Sequence, residues 1–267
     1  MNHPMTGVNV LVCVKRVPDA SSEVVLTDDG QGVDGRFSGY ATSPHEECAV
    51  ELAARAATAT GGEATVLTLG DAEAVEQLRA ALAVGCTAAT HVVADGQQFG
   101  PADVAREIAA VVRDHEVAGR PHDLVLLGND AADTGDFQVG IRLAYELGRP
   151  VVSGVTTVDV SEVDGRMSVT ASGDGPDGHE TYVVPLPAVV TVMEGGVEPR
   201  YPTIPGRMKA KKVPIEERAP VGTPSGAGRL RWSLPPATPS DVQVLGKGPE
   251  AAPAVVDLLE QLGVLSR

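Results

Sequence analysis

A chain of 267 residues, 43% of them hydrophobic, can bury the core of one large or two small domains and is too apolar to be disordered. Aromatic residues make up only 3%, with one tryptophan, Trp232, so the core has to be built from Val, Leu and Ala, as in layered α/β proteins. The net charge of -15 and the scarcity of stacking rings argue against a nucleic-acid-binding surface, and three cysteines without a C-x-x-C pair argue against structural zinc and iron–sulfur clusters.

The run VNVLVCV at 8–14 predicts a buried first strand. Residues 21–40 are polar and Gly-rich and predict a loose hairpin or loop. A helix opens at Ser43-Pro44-His45-Glu46-Glu47, with Ser43 as N-cap, Pro44 at the first position and the glutamates at the positive helix end. A second strand is expected over 63–69, an Ala-rich helix over 72–84 and a third strand over 89–94. The spacing of Val104, Ile108 and Val111 after Pro101 predicts a helix over 101–117. A fourth strand follows over 123–127 and a helix over 134–147. Strands alternating with helices imply a doubly wound, mainly parallel α/β sheet of the Rossmann-like type. Strand-like alternation over 154–160, 166–171 and 180–184, with Gly-Asp-Gly turn chemistry at 173–175, predicts an antiparallel extension. The run AVVTVM at 188–193 is another buried strand. The Pro- and Gly-rich stretch beyond Glu217 reads as an extended C-terminal arm, closed by a short apolar helix over 254–262. The expected division is therefore 1–217, an α/β domain, and 218–267, an arm whose helix docks on another surface.

Ligands of open α/β sheets lie beyond the carboxyl ends of strands, where loops meet helix N-termini. The loop from Gly128 to Gly140 stands at such a place. Gly128 and Gly135 allow close backbone approach, and a helix starting near Thr134 or Gly135 would offer free N–H groups to a phosphate. This loop carries neither G-x-G-x-x-G nor G-x-x-x-x-G-K-[ST], so a plain connection, with Asp133 and Thr134 as caps, is the structural alternative. At the end of the first strand, Cys13 reads as a small core residue rather than a nucleophile. Lys15 and Arg16 are either salt-bridged surface groups or a cationic pair beside a pocket. Gly70, after the second strand, is either a tight turn or a close approach to a sugar or phosphate. His45 reads as a surface residue at a helix start.

The segment from Val197 to Lys212 combines three prolines, at 199, 202 and 205, with Arg207, Lys209, Lys211 and Lys212. The prolines stiffen an exposed loop, and a basic cluster on an acidic chain is a local electrostatic device. A solvated loop leading into a short helix is the simpler reading.

From Glu198 to Lys212 this segment resembles the signature of the electron transfer flavoprotein β subunit, N-E-P-R-Y-x-x-[LI]-P-x-[IL]-M-K-A-K-K-K. Val197 stands in place of Asn, Arg207 in place of an aliphatic residue, and Val213 in place of a further Lys. The resemblance extends over about 8–218. It includes the segment Cys13 to Asp19 against V-K-x-V-x-D, and residues 43–47 against N-P-[FY]-x-E, where His45 replaces the aromatic. The nucleotide loop is similar too: Ala132-Asp133 and Gln138-Val139-Gly140 match, whereas Asp130 replaces Gln and residues 134–136 are permuted.

The resemblance implies an adenine nucleotide α-hydrolase-like fold and a non-catalytic electron carrier. The odd, widely spaced cysteines and the lack of an apolar h-region predict a reducing cytoplasm, and the lack of a long apolar run predicts no direct membrane insertion. An α subunit would share FAD with this chain. A second nucleotide, AMP or another FAD, would lie against Cys13, Gly70, Asp133, Thr134, Asp136 and Gln138. A docking loop of Tyr201, Ile204, Pro205, Met208, Lys209 and Lys212 would meet flavin dehydrogenases, with electrons passing on to a quinone oxidoreductase. A stand-alone adenine-nucleotide-binding stress or regulatory protein is the alternative. Hydrolytic enzymes are disfavoured, because G-x-S-x-G, H-E-x-x-H and a Walker lysine are all missing.

Overall fold

The computed structural model describes residues 7–19, 21, 24–226, 228, 231–236 and 242–265. The chain forms two compact units, Met1–Trp232 and Ser233–Arg267. In the first, the elements run β1 (Val10–Cys13), β2 (Val17–Pro18), β3 (Tyr40–Ala41), α1 (Pro44–Thr60) and β4 (Ala64–Gly70). A 3-10 turn then leads into α2 (Val75–Ala83), followed by β5 (Ala88–Val93), α3 (Pro101–Val117), β6 (Leu124–Gly128) and α4 (Val139–Leu147). Next come β7 (Val151–Val155), β8 (Thr157–Val163), β9 (Arg166–Gly175), β10 (Gly178–Pro185), β11 (Ala188–Val192), α5 (Ile204–Ala210) and β12 (Ile215–Arg218). The second unit carries α6 (Ala252–Gln261).

Seven strands form one parallel sheet in the order β12-β5-β4-β1-β6-β11-β7. Its central strands are apolar on both faces because helices cover both. Side chains alternate along β1: Val10 and Val12 enter the core made with α1 and α2, while Leu11 and Cys13 enter the core made with α3 and α4. Ala49, Ala53, Ala56 and Ala57 give α1 a small-residue face that packs closely on the sheet. The doubly wound expectation holds. Strands β5, β4 and β1 lie in reverse chain order, and β6 sits on the far side of β1. The topological switch point therefore falls between β1 and β6.

The helix starts follow local chemistry. In α1 the Ser43 N–H donates to Glu46 Oε2 at 3.2 Å and Pro44 occupies the first turn, as expected. In α3, Pro101 follows Gly100, whose N–H donates to Asp103 Oδ2 at 3.1 Å.

Four expectations need correction. The helix after β6 begins at Val139, not near Thr134, because Gly135 and Phe137 adopt left-handed φ values of 57° and 54° that no helix accommodates. Asp133 and Thr134 therefore cap nothing. The stretch expected as one strand over 154–160 divides at Thr156 between β7, in the large sheet, and β8. The antiparallel strands β8, β9 and β10 form a small sheet of their own. Its second turn is Pro176-Asp177, and Gly173 lies inside β9 instead. There a Cβ would approach the Gly154 carbonyl oxygen to 2.9 Å, so glycine serves close packing rather than turning. Residues 21–40 do hold a small hairpin bridge, Leu26 to Val33. Sequence reasoning missed β12, which pairs in parallel with β5 at the sheet edge.

Candidate functional site

β1 and β6 end level with each other, Cys13 opposite Leu127. Beyond them the chain opens into Val14 to Arg16 on one side and Gly128 to Gln138 on the other. The first turn of α1 closes the back. Ser43 Oγ accepts a bond from the Ala132 N–H at 3.0 Å, and a Cβ on Gly128 would lie 2.7 Å from Glu46 Cγ. Only glycine lets the end of β6 come so near to α1.

Two adjoining clefts result. The first, about 130 Å³, has walls of Cys13, Leu67, Leu69, Phe99, Val104, Ile108, Leu127 and Phe137, with Asp130, Thr134, Asp136 and Gln138 along one side. The second, about 270 Å³, is more polar and is bounded by Lys15, Arg16, Tyr40, Gly70, Asp71, Asp95, Asp133 and Trp232. They share Lys15, Leu69 and Gly96. An apolar slot edged by polar groups, continuing into a charged cleft, suits a flat ring with a polar or anionic tail. The six residues expected at a nucleotide thus border these clefts: Cys13, Thr134, Asp136 and Gln138 the first, Gly70 and Asp133 the second.

Their side chains already have partners in several cases. Lys15 Nζ bonds Asp133 Oδ1 at 2.7 Å. Arg16 lies 3.5 Å above the Tyr40 ring and 3.9 Å from Asp71, while its buried Nε has no hydrogen-bond partner among the described residues. Gln138 Oε1 accepts from Arg142 at 3.0 and 2.9 Å, one turn along α4. His45 is not a free surface residue: its Nδ1 meets Asp130 Oδ1 at 2.5 Å. Burial pushes the Glu46 carboxyl up to about 8, against weaker lowering by the Lys15 and Ser43 backbone N–H groups. Burial, helped by the Glu46 charge, also drives the Cys13 thiol far above its ordinary range. Cys13 is therefore an unreactive wall, in line with the core reading of this residue.

A second region is the segment from Glu198 to Lys212. The buried Glu51 carboxylate receives Arg200 Nε at 2.6 Å and Nη2 at 2.8 Å, and Arg55 Nε at 2.5 Å. Burial alone would raise Glu51, but these bonds outweigh it and hold the carboxyl below its usual value. Arg79 donates to the Ala210 and Val213 carbonyls at 2.5 and 2.6 Å, fixing the end of α5. Thr203 caps α5 by accepting from the Gly206 N–H at 3.1 Å. Between these anchors Tyr201, Ile204, Pro205, Met208, Lys209 and Lys212 are all exposed, Ile204 to 79%. Ile204 is thus not buried against its own domain.

Sequence reasoning gave no role to Glu51, Arg200, Arg79, Tyr40, Phe99 or Phe137. One signal was available: Glu51 is a carboxylate between Val50 and Leu52 on the apolar side of α1, where an unpaired charge would not be tolerated.

The fold and its clefts define a Rossmann-like, doubly wound α/β protein with a crevice at the switch point. Residues 36–221 match the electron transfer flavoprotein domain. The electron transfer flavoprotein subunit β of Bacillus subtilis (strain 168) is 34% identical over 209 residues, covering 78% of each chain. The subunit β of Syntrophomonas wolfei is 34% identical over 240 residues, covering 89% of this chain and 90% of the relative. The human subunit β is 36% identical over 216 residues, covering 79% of this chain and 81% of the relative. The chain belongs to the electron transfer flavoprotein β-subunit family. No helix among the described residues is long and apolar enough to cross a membrane.

Proposed function

We propose that this chain is the β subunit of a heterodimeric electron transfer flavoprotein with an adenine nucleotide, AMP or a second FAD, in its own clefts. The carrying observation is the pair of clefts beyond β1 and β6: an apolar slot opening onto Lys15 and the unsatisfied Arg16 Nε. The slot fits an adenine ring. Arg16 supplies a buried donor that needs an acceptor, and a phosphate oxygen is one. Cys13, Thr134, Asp136 and Gln138 border the base side, and Gly70, Asp133 and Lys15 the sugar–phosphate side. The nucleotide here would have a structural role. The redox FAD, which accepts and passes on electrons when bound, would be held mostly by the α subunit, with the start of α1 around His45 as this chain's wall.

The residues of this chain position and dock rather than catalyse. Arg200 and Arg79 hold a stiff segment that presents Ile204 and a basic helix face to partners. These partners would be acyl-CoA or related flavin dehydrogenases as donors and a quinone oxidoreductase as acceptor. In the second unit, α6 has Val255 and Val256 40% and 45% exposed, an apolar face that suits docking on the α subunit. A cytoplasmic setting is consistent with the cysteine use.

Co-expression tests the reading. A yellow flavoprotein is expected only when the chain is purified with an α subunit. A colourless, stable homodimer that binds ATP without one would instead establish the stand-alone regulatory alternative.

A further inference from the structure

Phe137 stands in the loop between β6 and α4 with φ at 54°. A bulky side chain is disfavoured in that left-handed region, which glycine usually fills. Gly135, two residues earlier, does so at 57°. The other non-glycine residue with positive φ among the described residues, Asp164, sits in the two-residue turn between β8 and β9, where Asp is well tolerated. Phe137 has neither reason. Nor does core packing compensate it, because the residue remains 53% exposed.

The loop brings Phe137 to the apolar cleft, whose buried wall includes Phe99. Two of the three phenylalanines in the chain thus line one cleft, although the sheet and helices pack almost entirely through Val, Leu and Ala. An exposed aromatic kept in a strained conformation at a cleft is poorly explained by stability and well explained by contact with a ligand.

We propose that Phe137 is a specificity-determining residue of this cleft. Its ring covers a flat heteroaromatic base by stacking, and so favours ligands that carry such a base over a sugar phosphate alone. The inference rests on the nucleotide reading above and adds to it the group that selects the base.

The full-length chain, purified with its α subunit and stripped of nucleotide, is titrated with AMP by calorimetry. Phe137→Gly removes the ring and relieves the backbone. It should weaken AMP binding about tenfold while leaving the melting temperature equal or higher. Phe137→Tyr, which keeps a π face, should bind within about twofold of the unaltered protein, and Phe137→Leu, which keeps only bulk, should fall with the glycine variant. Unchanged affinity in Phe137→Gly, or equal affinity in the Leu and Tyr variants, would overturn the stacking role and leave the nucleotide reading standing. The Leu and Tyr pair decides alone if the glycine variant fails to assemble. Binding of neither AMP nor a second FAD by the unaltered protein would remove both.

Discussion

Glu46 shows how one residue serves two positions at once. Its carboxyl accepts the Ser43 N–H at the start of α1, and its Cγ is where a Cβ on Gly128 would fall. Burial raises its titration from the ordinary 4.5 to about 8. Between those values the folded chain keeps a proton that the unfolded chain has released. Its stabilising contribution is therefore full below pH 4.5 and is lost as the pH climbs toward 8. The slope approaches about 1.4 kcal/mol per pH unit. Glu46→Gln keeps an acceptor for the Ser43 N–H and removes the titration. Urea midpoints measured from pH 5 to pH 8 should therefore fall more steeply for the unaltered chain than for the variant. Parallel curves would show that Glu46 titrates normally. Cys13 lies in the same wall, but its thiol is pushed so high that no pH in this range touches it.

At the scale of elements, the strands were the most legible part of the sequence. β1, β4, β6 and β11 are buried on both faces and read as apolar runs interrupted only by threonine. α3 was legible to the residue because Gly100-Pro101 and Asp103 mark its start. The start of α4 was not, since Thr134-Gly135 looks like a cap and only the backbone angles of Gly135 and Phe137 decide otherwise. β12 was missed because Ile215-Glu216-Glu217-Arg218 is an edge strand with a mostly polar sequence. The clefts were half legible: strand ends and glycines marked the place, but Tyr40, Phe99 and Trp232 reach it only through the fold. Arg200 and Glu51 are 149 residues apart, and no local pattern joins them.

That ion pair allows the proposed docking segment to be divided into anchor and probe. Arg200→Ala removes one of the two cations that Glu51 pairs with among the described residues and leaves Arg55, at a site where Arg200 itself is half exposed. A cost of about 1–2 kcal/mol is expected, below that of breaking a fully buried pair. Ile204→Ala removes only exposed surface and should change stability by less than about 0.5 kcal/mol. In the proposed carrier the same Ile204 variant should nevertheless slow electron transfer from the dehydrogenase severalfold, as truncation of a small interface anchor does. Thermal unfolding and transfer kinetics on both variants check this. A lowered melting temperature with an unchanged transfer rate in Ile204→Ala would mean that the residue packs in its own chain and that the segment does not dock.

The whole molecule carries a net charge of -15, yet Arg207, Lys209, Lys211 and Lys212 are exposed together around α5. Such a basic island in an acidic surface is suited to steering an acidic partner toward Ile204, an effect that salt screens. The clefts open at the carboxyl ends of the central strands, and none of their walls comes from the segment 198–212. The proposed ligand binding at the switch point thus stands or falls independently of the proposed docking. Mass spectrometry of the nucleotides released by acid from the purified heterodimer tests this most directly. The account predicts an adenine nucleotide in about one-to-one ratio with this chain, in addition to the FAD shared with the α subunit. Release of a single FAD per heterodimer and no other nucleotide, with no uptake of added AMP, would contradict it.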